Sequence, residues 1–288
     1  MEIWREPALR RPYCQKNTKL EEIMKSYSII VALWAVVLAV PAGATQEDSM
    51  SIGQKFHYET SFGNQGYKGE DVRFGKNLPL YKEYKGAAKV KLPPAALEGM
   101  RLEKAIQQRE SQRYFADKPM SLQHLAQILV SADGITHSSD GWDFRAAPSG
   151  GALYPIEIYV VVSNVDTLAN GLYHFQVSDN SLELLKEEDL ERQIHSASHK
   201  QEAVGASPVT LILTARFDRS TVKYGDRGYR YTYIEAGAIC ENIYLQAISL
   251  GLGTVAIGAF NDDAVARLVG IDGLEEAALL LMPVGFPR

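Results

Sequence analysis

Apolar residues recur along the chain at spacings that differ from segment to segment, and these spacings predict helices. Apolar positions at roughly helical spacing predict a first helix over Leu97–Arg109. Ser121 is a typical N-cap and Gly134 a typical stop, so a second helix is predicted between them. A third, long helix is predicted over Tyr233–Leu250, with Gly251 ending it.

Continuous runs of β-branched and other apolar residues predict buried strands. The clearest is the run IEIYVVV at Ile156–Val162, and Asp179-Asn180 predicts a hairpin turn. The other predicted strands are Gly171–Val177, Leu182–Leu185, Pro208–Ala215, Thr254–Ile257 and Ala277–Val284. Helices and strands mix without a regular βαβ repeat, which favours an α+β fold over a doubly wound one.

The N-terminal part of the chain has the pattern of an export signal. Tyr27–Val40 is an uncharged run that follows Lys25, and Ala42 and Ala44 form a small-residue cleavage pattern. We therefore expect a cleaved signal peptide over 24–44 and a periplasmic protein, ahead of an uncleaved membrane anchor or a buried helix. Residues 1–23 are interpreted as an upstream extension, with translation beginning at Met24.

The remaining chain divides at a proline pair. Residues 45–94 are rich in glycine, lysine and tyrosine and predict an irregular arm that ends at Leu92-Pro93-Pro94. Residues 95–288 are predicted to form the functional domain.

Composition excludes several classes of protein. The 288 residues are 46% hydrophobic and 23% charged, with a formal net charge of −5, so neither a nucleic-acid footprint nor a polybasic membrane patch is expected. Cys14 and Cys240 are too few for a disulfide framework. His195 and His199 lack a partner motif for zinc, and we expect no metal.

Three segments carry residues suited to binding a flat, phosphorylated ligand. In RESQR, Arg109 and Arg113 bracket Ser111, and arginine forks suit phosphate, although alone this string is more typical of a solvated surface. In the segment RAAPSGGALYP, small residues at Pro148–Gly151 leave room for a ring against the backbone. The third segment, LGLGTVAIGAF, is not a dinucleotide-binding or P-loop motif, and a strand with a bulge is the alternative.

Together, RESQRYF, RAAPSGGALYPIEIYVVV, IEAGAICENIYLQAISLGLGTVAIGAF and a terminal PVG resemble the SagB-type dehydrogenases of the nitroreductase superfamily, in the same order and at the same spacing. The resemblance covers roughly Leu92–Arg288. It implies an antiparallel sheet flanked by helices, a homodimer or an internally duplicated equivalent, and FMN bound at the subunit interface.

The resemblance also implies roles for individual residues. Arg109 and Ser111 would meet the FMN phosphate, and Arg113 would approach the N1/C2 edge of the flavin. Four residues would line the ring, namely Pro148, Ser149, Gly150 and Gly151. Ile257, Gly258 and Ala259 would place a backbone N–H near flavin N5. Classical nitroreductases have an acidic residue where Gly258 falls, and this is a departure from their pattern. Arg288 would add a phosphate contact.

Lys223 and Tyr224 are candidate catalytic residues by the same resemblance, because azole-forming members use a Lys-Tyr pair to remove a proton while hydride passes to FMN. A surface loop leading into the long helix is the equally weighted alternative.

The expected function is an FMN-dependent oxidoreductase that acts on a small-molecule or peptide substrate. An exported enzyme would not meet NAD(P)H, which favours an organic donor or an electron-donor protein. The alternatives are a cytoplasmic NAD(P)H-dependent nitroreductase and a non-catalytic flavin-binding module of a modification complex.

Overall fold

The computed structural model describes residues 50–62, 78–96 and 99–288. The chain divides into two compact units, Met1–Tyr58 and Glu59–Arg288. Helix α1 (Ile52–Glu59) begins after Ser51, whose hydroxyl accepts from the Gln54 N–H at 3.3 Å. The Ser51 N–H donates in return to Gln54 Oε1 at 2.9 Å, which makes a reciprocal cap.

A seven-stranded sheet forms the centre of the second unit, and every pairing in it is antiparallel. Its spatial order is β1-β6-β5-β4-β7-β9-β8. The strands are β1 (Ala88–Lys91), β4 (Ile156–Val162), β5 (Gly171–Gln176), β6 (Ser181–Lys186), β7 (Val209–Arg216), β8 (Gly253–Thr254) and β9 (Glu276–Gly285); β2 (Ile135–Ser139) and β3 (Trp142–Arg145) form a separate hairpin.

Helices cover both faces of this sheet. They are α2 (Leu102–Gln108), α3 (Leu122–Asp133), α4 (Glu191–Ala197), α5 (Glu202–Gly205), α6 (Phe217–Tyr224), α7 (Arg227–Ser249) and α8 (Asp262–Val269). Ile158 and Val160 of β4 pack in one core with α3 and α7, whereas Tyr159 and Val161 pack in a second core with α4, α5 and α8. Both faces of β4 are therefore buried, and the predicted α+β class, with a mostly antiparallel sheet between helices, is confirmed.

Several predicted elements are confirmed closely. Helix α3 follows Ser121, whose hydroxyl accepts from the His124 N–H at 3.1 Å, and it ends at Gly134. Strand β4 has the predicted bounds. The predicted hairpin turns at Asn180, which is in the left-handed region with φ 51°.

Other bounds differ from the prediction. Helix α7 begins at Arg227, six residues before the predicted start, because Gly228 packs directly against the backbone of α6: a Cβ there would lie 2.8 Å from the Ser220 carbonyl carbon. Tertiary packing thus extends a helix through a polar stretch that lacks an apolar period. The first predicted helix corresponds to α2, which is shorter than predicted. The predicted strand Thr254–Ile257 is reduced to β8 and a single bridge between Ile257 and Leu281.

The predicted irregular arm contains regular structure. Helix α1 lies in it, and Ala88–Lys91 is the edge strand β1, paired with Ser181–Leu184. Its Ala-Lys-Val-Lys pattern is polar because an edge strand needs little apolar surface and is protected by lysines.

The predicted extension 1–23 and signal 24–44 lie outside the described residues. In the part of the chain that the structure describes, no helix combines the length and the apolar character needed to cross a membrane.

Candidate functional site

The segment Pro148–Gly151, here called the small-residue loop, leads from β3 into β4 through a strained backbone. Gly151 has φ 69°, and the next residues Ala152 and Tyr154 also have positive φ, at 54° and 45°. Such conformations cost non-glycine residues on the order of 1–3 kcal/mol each and persist where surrounding contacts impose them.

Contacts around Tyr154 impose this conformation. Its N–H donates to Ser149 Oγ at 2.8 Å, and its carbonyl accepts from Arg219 Nη1 at 2.7 Å. The Arg145 guanidinium lies 4.4 Å from the centre of the Tyr154 ring, and the Arg145 N–H donates to the Tyr154 hydroxyl at 3.3 Å. The loop therefore presents its backbone in one fixed shape, as strained functional loops do.

Lys223 and Tyr224 lie against this loop. A Cβ placed on Gly151 would collide with the Tyr224 hydroxyl and would lie 2.8 Å from Lys223 Nζ. Both residues end α6, so the alternative of a surface loop is wrong. Gly150 lies against Tyr231 of α7, which packs edge-on against Tyr224 with 4.9 Å between ring centres.

Two arginines at the start of α7 extend this region. Arg227 donates to the Tyr231 hydroxyl at 2.8 Å and to the Thr60 carbonyl at 2.5 Å. Arg230 Nε donates to Thr60 Oγ1 at 2.5 Å. The Arg227 guanidinium also lies 4.1 Å from the centre of the Phe62 ring. A short piece of the arm is thus held by cations beside Tyr231.

The arginine segment lies at the other end of α7. Ser111 Oγ lies 3.1 Å from the Tyr244 hydroxyl, which also accepts from the Ala256 N–H at 2.8 Å. The Arg109 guanidinium lies 5.2 Å from the centre of the Tyr244 ring. Tyr244 therefore ties the arginine segment to the third motif. Arg113 is exposed, and its Nη1 reaches the Ser111 carbonyl at 3.4 Å.

The predicted backbone segment Ile257–Ala259 is anchored at one end and open at the other. Ile257 exchanges backbone hydrogen bonds of 2.9 and 3.0 Å with Leu281. Gly258 and Ala259 are exposed, and a Cβ on Gly258 would meet open space. Arg288 is exposed, and its N–H donates to the Tyr114 carbonyl at 3.1 Å.

The predicted residues thus form two groups within one chain. The loop half-site comprises Pro148–Gly151 with Lys223 and Tyr224. The arginine half-site comprises Arg109, Ser111 and Arg113 with Ile257–Ala259. They attach to α7 near Tyr231 and Tyr244, thirteen residues apart, which corresponds to about 20 Å along a helix.

Sequence reasoning missed a buried ionic network behind the loop half-site. Arg219 Nη2 lies 2.6 Å from Glu157 Oε1, and both His174 ring nitrogens lie 2.9 Å from carboxylate oxygens, of Glu157 and of Glu183. Burial would raise the pKa of Glu157, but the hydrogen bond from His174 and the charge of Arg219 lower it to about 2. The neighbouring Asp133–Arg145 ion pair is 2.7 Å long.

A second missed residue is Glu235 of α7, which is 2% exposed. Within the described residues neither of its carboxyl oxygens has a hydrogen-bond partner. Burial raises the pKa of Glu235 to about 8, against an opposing interaction with Ser149. A sequence signal existed, because Glu235 lies in register with the core positions Ile239 and Ile243.

No group of three or more His, Cys, Asp or Glu side chains in the described ranges is arranged to hold a metal ion.

An antiparallel sheet lies between two helical layers, and the small-residue loop and the arginine segment pack against one long helix, an architecture that defines an α+β protein. The model of the nitroreductase family matches residues 106–286, and the chain belongs to that family.

Individual relatives agree with this assignment. The chain is 39% identical over 189 residues to the nitroreductase-type protein MJ1384 of Methanocaldococcus jannaschii, covering 66% of this chain and 92% of the relative. It is 28% identical over 177 residues to the microcin B17-processing protein McbC of Escherichia coli, covering 59% of this chain and 64% of McbC. The crystal structure of a nitroreductase-type protein from Anabaena variabilis superposes with a TM-score of 0.68 at 23% identity, over 86% of this chain and 49% of that one, and shares the fold.

Proposed function

We propose that this oxidoreductase of the nitroreductase family is an FMN-dependent dehydrogenase of the SagB type, acting outside the cytoplasm. The observation that carries the proposal is the position of Lys223 and Tyr224 against Gly151. Proton removal coupled to hydride transfer needs a base positioned beside the flavin, and a Lys-Tyr pair at a flavin-lining loop would supply one.

The residues present fit FMN. The arginine half-site offers two guanidiniums and the Ser111 hydroxyl for a phosphate, and all three residues are exposed or partly exposed. The small-residue loop offers partly exposed backbone at Gly150 and Gly151, whose missing side chains let Tyr231, Tyr224 and Lys223 approach the loop closely. When bound, FMN supplies hydride acceptance and donation at its N5 atom.

The chain's own residues would orient the substrate and move its proton. Lys223 Nζ, in its uncharged form, would accept a proton from the substrate carbon or nitrogen, and the Tyr224 hydroxyl would hold the substrate by a hydrogen bond. Arg113 would stabilise negative charge that develops beside it.

We propose a homodimer, because the two half-sites lie about 20 Å apart along α7 in one chain. Two large apolar side chains are exposed on α7 shortly after Tyr231, namely Ile234 at 70% and Tyr233 at 47%. A second copy that covers this surface would bury apolar area and would bring the loop half-site of one protomer to the arginine half-site of the other.

The substrate is proposed to be a peptide or a small organic molecule. The similarity to McbC, which is named for processing microcin B17, supports a peptide. The similarity to MJ1384, which is named as a nitroreductase, supports nitro reduction as the alternative activity, and we would expect such an enzyme to use NAD(P)H in the cytoplasm. If the export signal functions, the flavin would be reduced by an organic substrate or by an electron-donor protein. N-terminal sequencing of the protein from fractionated cells distinguishes an exported, processed protein from a cytoplasmic one.

The visible spectrum of the purified full-length chain is the first test. Flavin absorbance bands and release of about one FMN per subunit are expected. A protein that stays colourless after incubation with FMN would contradict the enzyme proposal, whereas bound FMN without turnover of any substrate would favour the non-catalytic flavin-binding module. If turnover of a substrate is found, Lys223→Ala and Tyr224→Phe should each slow flavin reduction while FMN stays bound; unchanged rates in both would exclude the proposed base.

The dimer has a separate test with a matched control. Ile234→Glu should give monomers in sedimentation and should lose FMN, because it places a charge on the proposed interface. Leu274→Glu, at a residue 81% exposed in the loop before β9, should change neither property. A dimer that persists with bound flavin in Ile234→Glu would place the interface elsewhere.

A further inference from the structure

The buried carboxyl of Glu235 lies behind the small-residue loop rather than in the ionic network beside it. Its position on α7 is one turn after Tyr231, and Tyr231 contacts Gly150. The carboxyl oxygens are inaccessible to solvent and unbonded within the described residues. An unpaired buried carboxylate is costly, so a carboxyl in this position is held uncharged.

Ser149 connects this carboxyl to the loop half-site. Its Oγ accepts the Tyr154 N–H at 2.8 Å, and its hydroxyl is the hydrogen-bonding group that opposes the effect of burial on the pKa of Glu235. The two side chains are not aligned for a hydrogen bond in this structure, so a bond between them requires one of them to turn. A hydroxyl has one proton to donate and two lone pairs to accept with. The Tyr154 N–H occupies one lone pair of Ser149 Oγ. Where the Ser149 hydroxyl proton points therefore depends on whether a second donor occupies the other lone pair.

We propose that Glu235 is a positioning residue whose own proton decides whether Ser149 donates a hydrogen bond into the loop half-site. When Glu235 holds its proton, its O–H donates to the second lone pair of Ser149 Oγ, and the Ser149 proton points towards the bound ligand. When Glu235 loses that proton to solvent, the Ser149 O–H turns to the carboxylate, and the ligand loses a donor.

The charged groups that face Glu235 come from three elements. They are Asp133 at the end of α3, Arg145 of β3 and Arg219 of α6. The two arginines oppose the uncharged form and Asp133 favours it, but both arginines are engaged, Arg145 with Asp133 and Arg219 with Glu157. These pairings leave burial as the dominant influence on Glu235.

Infrared difference spectroscopy of the FMN-free protein tests the proton itself. A protonated-carboxyl band should titrate near pH 8 in the unmodified protein. It should disappear in Glu235→Gln and shift in Ser149→Ala, where its hydrogen-bond acceptor is gone. Absence of the band at neutral pH, or a band unaffected by Ser149→Ala, would overturn the proposal whether or not FMN is the ligand.

FMN affinity tests the consequence for the site, and this step rests on the proposed function. Affinity of the unmodified chain should fall about tenfold as the pH rises through about 8, the effect of one lost hydrogen bond. Glu235→Gln keeps a permanent donor and should bind equally above and below that pH, while Ser149→Ala should bind weakly throughout.

Glu241→Gln, at an exposed position on the same helix, should follow the unmodified protein. The same pH dependence in Glu235→Gln as in the unmodified chain would refute the role of Glu235. A chain that binds no FMN at any pH would instead refute the proposed function, and the infrared titration would then decide the present inference alone.

Discussion

Replacing His174 with glutamine should remove the cation that holds two buried carboxylates together. His174 lies 2.9 Å from both Glu157 and Glu183, and all three side chains are buried. Because each ring nitrogen faces a carboxylate oxygen, each needs a proton to form its hydrogen bond, and the ring is then an imidazolium. Glutamine is of similar size but neutral, so the two carboxylates would face each other without this charge.

The magnitude follows from the pKa of Glu157 and from the behaviour of broken buried ion pairs. Lowering that pKa from 4.5 to about 2 corresponds to about 3 kcal/mol in favour of the ionised form, shared between His174 and Arg219. Removing one partner of a buried ion pair typically costs about 3–5 kcal/mol. We therefore expect His174→Gln to lower the free energy of unfolding by about 3 kcal/mol.

Urea unfolding across a pH series is the appropriate assay. A carboxyl whose pKa is lowered on folding contributes stability that is complete above its unfolded pKa and is lost as pH falls towards the folded value. In the unmodified protein this loss should therefore extend from about 4.5 down to about 2. In His174→Gln one cause of the lowering is gone, so the folded pKa of Glu157 should lie closer to 4.5, and the acid-dependent loss of stability should be smaller and complete at a higher pH.

His199→Asn is the control, since His199 is exposed with φ 57° and asparagine tolerates that conformation. It should leave stability within about 0.5 kcal/mol of the unmodified protein. A His174→Gln protein that lost less than about 1 kcal/mol and kept the same acid limb would refute the imidazolium assignment.

Further predictions concern the loop, the arginine half-site and a helix cap. Gly151→Ala should lower the free energy of unfolding by about 1–2 kcal/mol, because Gly151 has a positive φ. It should also lower turnover beyond what this loss of stability explains, because the new methyl group displaces the ends of the Lys223 and Tyr224 side chains; thermal melts and kinetics measure the two effects separately. Tyr244→Phe leaves the Ala256 N–H without its acceptor and should cost about 1–3 kcal/mol in urea unfolding while weakening FMN binding measured by fluorescence. Ser121→Ala removes an N-cap and should cost about 1 kcal/mol in urea unfolding without changing FMN affinity.

The elements predicted well from sequence are those whose signals are local. The run of β-branched residues at Ile156–Val162 needs no distant information, and α3 has a capping residue at one end and a glycine at the other. The start of α7 depends instead on contact between Gly228 and the backbone of α6, which no local pattern contains. Strand β1 is an edge strand whose lysines conceal its pairing with β6.

The candidate site divides in the same way. The resemblance proposed Gly151 and Lys223 separately, but their contact joins residues that are distant in the chain and follows from the fold alone. The burial of His174 and Glu157 results from their facing one another across adjacent strands. Such non-local contacts explain why the ionic network behind the loop could not be predicted.

The length of α7 has a consequence for how this protein can change in evolution. Tyr231 and Tyr244 each anchor one half-site, so the turns between them set both the separation and the angular phase of the two groups. Inserting one residue there would turn one half-site by about 100° relative to the other and displace it by about 1.5 Å. Substitutions on this stretch can accumulate one at a time, whereas a single insertion or deletion would put the two half-sites out of phase at once.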